Sequence, residues 1–230
     1  MIDTLRILPV HPSDEKEKSN ETALGVEEGG IQSAEALLLA RYFMYSQVYM
    51  HPIRRIYDIH LRDFLEEWLE GGKFSIDLSD HLVITDNEVT SAFLSAAIDK
   101  NSNGHLHAER IVKRKHFKLI YERNPNDIEV NPEAGKAVYK ALCEHFDAEY
   151  FRHDKYFQKG EALDFPVRMR DDQIVPSLAI SATLKAVPIV AMDYVFANRD
   201  ILNKATKWLR ENHDDIIKPE KEEEIDDEKT

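Results

Sequence analysis

RYFMYSQVYMHP, residues 41–52, decides how this chain is read. It places six aromatic or methionine side chains behind one arginine and then runs into His51-Pro52. Ala36, Leu37, Ala40, Met44 and Val48 recur at helical spacing, with Ser33 as the expected N-cap. Pro52 cannot donate to the carbonyl of Val48 and clashes with it, so a long helix must kink or break there. On an ideal helix each step of four residues turns about 40° past a full turn. Arg41, Tyr45 and Tyr49 therefore drift along one edge of the apolar stripe. Eight residues at ~1.5 Å each separate Arg41 from Tyr49 by roughly 12 Å, the order of an extended nucleoside triphosphate. A guanidinium suits phosphate oxygens and a tyrosine suits a sugar or base. The same residues fit an aromatic helix packed on its neighbours, with Arg41 paired to an acid such as Glu35. Spacing alone leaves both readings open.

Around this stretch the signals alternate. TLRILPV (4–10) reads as a short strand and residues 11–22 as a polar loop, while LGVEEGG (24–30) reads as a strand ended by two glycines. IRRIYDIHLRDFLEEWLEGG (53–72) is a second helix, with Ile56, Ile59, Leu61, Phe64, Leu65 and Trp68 broadly on one side and Gly71-Gly72 as its end. Thr85 and Glu88 have capping-box spacing. HLHAERIVKRKHF (105–117) reads as a basic helix and KLIYER (118–123) as a strand. NPEAGKAVYKALCEHF (131–146) starts with Asn131 as N-cap and Pro132 at the first helical position. Short strands and helices follow, with a last helix from about Asn198 to Glu211. The expected fold is mostly α with an α+β region. It divides into a strand and loop over 1–30, a helical region over 31–116, an α+β region over 117–217 and an acidic, disordered tail over 218–230.

The 230 residues carry 43 acidic and 30 basic side chains, a net charge of -13. That balance repels phosphate backbones and makes nucleic acid an unfavourable partner, although a few local cations suffice for a small anion. The single cysteine, Cys143, excludes an internal disulfide and fits a reducing compartment. No apolar run approaches the length of a membrane span, and the N-terminus has too short an apolar stretch for a signal peptide. A cytoplasmic location is expected.

Three segments carry a resemblance. GIQSAEALLLARYFMYSQVYMHPIRRIYDIHL (30–61), SDHLVITDNEVTSAFL (79–94) and ERIVKRKHFKLIYE (109–122) resemble, in order and spacing, segments of the HD-superfamily deoxynucleoside triphosphate (dNTP) triphosphohydrolases. The resemblance covers roughly residues 4–122. It implies that Arg41 contacts the triphosphate and Tyr49 the deoxyribose, with Tyr45 between them. It places His51, Arg54 and Arg55 where relatives contact a regulatory nucleotide or a neighbouring subunit. It also implies dNTP as ligand and assembly as a homo-oligomer or with a full-length HD relative. The usual basic residue after the histidine is Pro52 here, which puts nucleotide regulation in doubt.

The chemistry of that family needs a divalent metal held by a histidine, a His-Asp pair and a distant aspartate. In relatives these precede the matched segments, so no catalytic residue and no metal ligand is expected in this chain. A metal is implied only where a complete HD core is supplied. Two His-Asp pairs are present. His153-Asp154 has His105, His107, His116 and His145 upstream and Asp171, Asp172 and Asp193 downstream, but lies in a segment that reads as a loop. His213-Asp214 reads as a solvated helix end. His105-Leu106-His107 reads as a surface helix without a third ligand, and His60-Leu61-Arg62-Asp63 as an exposed polar edge. Cys143 reads as a structural thiol.

Three functional expectations follow. The chain is a dNTP triphosphohydrolase homologue with substrate-side and oligomerisation elements, inactive alone. Alternatively it is a non-catalytic interaction module, motivated by the apolar and basic mix of HPIRRIYDIHLRDF (51–64). The third is a fragment of a longer HD hydrolase.

Overall fold

The computed structural model describes residues 2–9, 21–158, 164–188 and 190–218. The strands are β1 (Leu5–Pro9), β2 (Thr22–Glu27), β3 (Lys118–Glu122), β4 (Phe151–Phe157), β5 (Pro166–Arg168), β6 (Ile174–Pro176) and β7 (Ala191–Ala197). The helices of the first half are α1 (Ile31–Met44), α2 (Pro52–Trp68), α3 (Leu78–Val83), α4 (Asp86–Ala96) and α5 (His105–Val112). Those of the second half are α6 (Pro125–Val130), α7 (Ala134–His145), α8 (Ser177–Ile180), α9 (Ala182–Ala186) and α10 (Leu202–Ile217). The fold is mostly α with two small sheets, as the residue patterns predict. Most of the expected loop over 11–22 and of the tail over 218–230 lies outside the described residues. The described residues form two compact units, one within 1–50 and 157–191, the other within 51–156 and 192–230.

In the first unit the sheet order is β1-β2-β5-β6. β1 and β2 pair antiparallel, Leu5 opposite Val26, and β5 joins β2 in parallel. Glu27 bridges the strands, pairing with Arg6 at 2.9 Å and with Arg168. α1 starts at Ile31, two residues before the expected cap at Ser33, because the tight turn Glu28–Gly30 already leads into it. Its Glu35 accepts a hydrogen bond from Ser181 at 2.5 Å. The helix ends in a π turn, Tyr45–Tyr49, closed by the Met50 N–H on the Tyr45 carbonyl at 2.8 Å.

In the second unit α2 starts at Pro52, where the missing N–H costs nothing, and His51 Nδ1 caps it by accepting from the Ile53 N–H at 3.2 Å. The break expected at Pro52 is therefore a helix start. The capping box of α4 forms, with the Thr85 N–H on Glu88 at 2.9 Å. The start expected at Asn131-Pro132 is displaced. Asn131 accepts from the Glu133 N–H and shapes a turn, so α7 begins at Ala134. Asn124 and Pro125 carry the same signature and do open a helix, α6. α10 runs on to Ile217, past the expected end, with Ile217 buried. The sheet order is β3-β7-β4, and α7 and α10 cover it through Val138, Leu142, Ala205 and Leu209. A second cluster, Phe64, Ala96, Ala97 and Ala108, joins α2, α4 and α5. Each large apolar side chain removed from water there contributes about 2–3 kcal/mol.

Candidate functional site

The last turn of α1 and the π turn after it bring Arg41, Tyr45 and Tyr49 together. The Arg41 guanidinium carbon lies 5.1 Å from the centre of the Tyr45 ring, and Tyr45 meets Tyr49 edge-on at 5.2 Å. Arg41 and Tyr49 are exposed and Tyr45 is half-buried. Glu35, the acid considered as a partner for Arg41, accepts from Ser181. At that distance the guanidinium is attracted by the ring quadrupole, and it carries five N–H donors. π turns of this kind recur at functional sites because the widened turn displaces side chains from the regular helical pattern.

His51, Arg54 and Arg55 serve α2. His51 is its cap, and Arg54 pairs with Asp58 at 3.7 Å. Arg55 grips Asp154 with two hydrogen bonds, 2.7 and 3.0 Å, which hold α2 to β4. That clamp commits Asp154, and its neighbour His153 turns to Asp193 at 2.6 Å and stacks on Tyr139. The segment expected to be a loop is the strand β4. His213 reaches Asp127 at 3.2 Å, and Asp214 is almost fully exposed. His153 and Asp154 thus turn to different partners, whereas His213 Nδ1 also lies 3.2 Å from its neighbour Asp214. Burial raises the thiol pKa of Cys143, the opposite of what a nucleophile requires.

A different constellation forms between α2 and α5. His60 and Asp63, one helical step of three apart, meet His107, and one ligand atom from each lies within 4.8 Å of the others. Two readings from sequence need correction. His60 is fully buried and the Asp63 side chain is only 12% exposed, so they do not form an exposed edge; His107 is buried too, on the inner side of α5. The physical cause is the packing of α5 on α2. Gly104 begins α5 with φ +75, and a Cβ there would lie 2.5 Å from the Phe64 ring. That close approach seals His107 against the polar positions of α2.

Within the cluster, His107 Nδ1 is 3.7 Å from Asp63 Oδ2 and its Nε2 is 3.5 Å from Glu67. Arg152 donates to Asp63 at 2.8 Å. The Phe117 N–H donates to His60 Nε2 at 3.3 Å, which in the neutral ring leaves the proton on Nδ1. Both Nδ1 atoms, of His60 and of His107, are buried without a hydrogen-bond partner among the described residues. Burial, the Arg110 guanidinium and His107 push the His60 pKa down to about 3. Burial also lowers His107, with Arg110 acting in the same direction against Asp63.

His116 lies nearby, immediately before Phe117 in the sequence, with Nδ1 3.1 Å from the Tyr57 hydroxyl. Burial, then Lys118 and Arg199, lowers its pKa. The unfolded chain, where His titrates near ~6.5, takes up a proton that the folded state refuses. Stability contributed by this group is present above that pH and is lost as pH falls toward the folded pKa. Urea midpoints measured from pH 7.5 to 5 should fall, and the fall should be shallower in His116→Asn.

Residues 14–147 match the family described as HD associated region. An uncharacterized protein of Methanocaldococcus jannaschii is 30% identical over 106 residues, covering 44% of this chain and 23% of that protein. The crystal structure of a hypothetical protein from Aquifex aeolicus superposes with a TM-score of 0.67 at 26% identity, over 83% of this chain and 48% of that one. A phosphohydrolase from Bacteroides thetaiotaomicron superposes with a TM-score of 0.53 at 15% identity, over 76% of this chain and 52% of that one, and shares the fold. The chain thus spans between about a quarter and a half of the length of these relatives. Among the described residues no helix is long and apolar enough to cross a membrane.

Proposed function

Because this chain belongs to the family of HD-associated regions, we propose that it supplies the substrate-side wall of an HD-type nucleotide phosphohydrolase, with a dNTP as ligand. Arg41 takes the triphosphate and Tyr49 the deoxyribose, with the Tyr45 ring holding the guanidinium between them. The observation that carries this reading is the Arg41–Tyr45–Tyr49 ladder, exposed at Arg41 and Tyr49. The phosphohydrolase name of the Bacteroides structure is in keeping with it. The family's divalent metal belongs to an HD core, which this reading does not place on the His-Asp pairs here: Asp154 is held by Arg55, and His213 lies between Asp127 and Asp214. In this proposal the hydrolytic step is completed by a metal-bearing HD core outside the sequence described, and this chain alone binds without turnover.

Calorimetric titration of the full chain with a dNTP and with the matching deoxynucleoside, with and without Mg²⁺ or Mn²⁺, tests the assignment. Arg41→Ala removes a charge-assisted contact worth about 1.5–3 kcal/mol and should weaken dNTP binding roughly 10- to 100-fold, leaving the deoxynucleoside unchanged. Equal losses for both ligands, or no binding by the unaltered chain, would overturn it. A second role in assembly is favoured by the apolar residues on α1. Leu37 and Phe43 are 53% and 56% exposed, apolar side chains that a partner could cover.

A further inference from the structure

We propose that His60, Asp63 and His107 bind a divalent transition-metal ion, zinc or one of similar borderline softness, that ties α2 to α5. The site is separate from the nucleotide reading and uses none of its residues.

Two buried imidazole Nδ1 atoms without partners, in a single cluster, call for an occupant, because an unsatisfied buried polar atom is costly. The position of Glu67 indicates what kind. In the tautomer that carries its proton on Nε2, toward Glu67 at 3.5 Å, the lone pair of His107 Nδ1 faces Asp63 Oδ2 across 3.7 Å. Two acceptors facing each other without a proton between them suit a cation. A carboxylate behind a histidine is also the usual outer partner of a metal-bound imidazole. A tetrahedral ion with bonds of about 2.0–2.2 Å sets its ligand atoms about 3.3 Å apart, so the cluster needs only a modest inward rotation of side chains. Two imidazoles and one carboxylate favour zinc and its neighbours over magnesium or calcium, which take oxygen ligands.

Two features oppose loading, and each has a way to yield. Arg152 already holds Asp63, but an ionised carboxylate offers about four lone-pair positions, enough for a guanidinium and a metal together. His60 must move its proton from Nδ1 to Nε2, which forfeits the long contact with the Phe117 N–H and releases no net proton. The competing occupant is one water molecule, receiving a hydrogen bond from His60 Nδ1–H and donating to His107 Nδ1 and Asp63.

The test uses the full chain, stripped with a chelator and titrated with Zn²⁺ against a chromophoric competitor, with Co²⁺ as a spectroscopic probe. The expected result is one equivalent per chain, a four-coordinate Co²⁺ spectrum and a raised thermal midpoint. His107→Gln should weaken binding by at least about 100-fold. His105→Gln should leave it unchanged, since His105 Nδ1 is engaged by the Ala96 carbonyl. Should His107→Gln fail to fold, X-ray absorption of the zinc-loaded unaltered chain decides, with two imidazoles in the coordination sphere expected. Absence of stoichiometric binding, binding that survives His107→Gln, or a shell without two imidazoles would overturn the proposal in favour of the bridging water.

Discussion

Gly104→Ala should destabilise the chain by about 3 kcal/mol, read as a lowered urea midpoint with the slope unchanged. Two costs combine. The residue sits at φ +75, a left-handed conformation that costs an L side chain about 1–2 kcal/mol. The added Cβ would also meet Phe64 Cδ2 at 2.5 Å and the Phe64 carbonyl at 3.3 Å. Phe64 is fully buried and stacked on Trp68, so it has little freedom to retreat. Gly71→Ala separates the two effects. Gly71 has φ +64 but nothing within 4 Å of its Cβ position, and should show the conformational cost alone. Similar losses for both variants would mean that α5 is not held against Phe64 as described. The same experiment bears on the cluster at His107, which depends on that contact.

Asp127→Ala should cost about 3 kcal/mol by the same measurement. Asp127 is buried and accepts from the Tyr121 hydroxyl at 2.9 Å and from the Asn124 side-chain amide at 2.6 Å, with His213 Nε2 at 3.2 Å. Truncation leaves these donors without their acceptor, and each buried donor so stranded costs about 1–3 kcal/mol. Burial first, and then Asp127, hold the Tyr121 phenol far above its ordinary pKa, so the loss should also let Tyr121 titrate at lower pH. Tyr121→Phe in the Asp127→Ala background should recover part of the stability by removing one stranded group. A double variant no more stable than the single one would show that Tyr121 and Asp127 are not coupled.

Local rules carried far. Pro52 fixed the break after the Arg41 segment, and Thr85 with Glu88 fixed the start of α4, since these depend on residues within one turn. Asn131-Pro132 misled by being a local signature with a local competitor, a turn that consumed the cap before a helix could use it. β4 was hidden because its pairing partner β7 lies some forty residues later, and nothing in the aromatic and charged run at 150–157 announces that partner.

The clearest missed signal lies in α2. His60 falls four residues after Ile56 and four before Phe64, both buried, which puts a polar ring in the middle of an apolar stripe. Read by that spacing, His60 belonged inside, yet its partners did not follow. Helical periodicity acts over a few residues and established that Arg41, Tyr45 and Tyr49 share a face. The meeting of His60 and Asp63 with His107 spans more than forty residues and depends on a glycine close approach that periodicity does not encode. The chain's own order thus marked the starts of α2 and α4 and the HD relation, because capping, proline sterics and apolar spacing are short-range. Which polar groups became neighbours was settled by packing between distant segments, where burial decides what must be partnered.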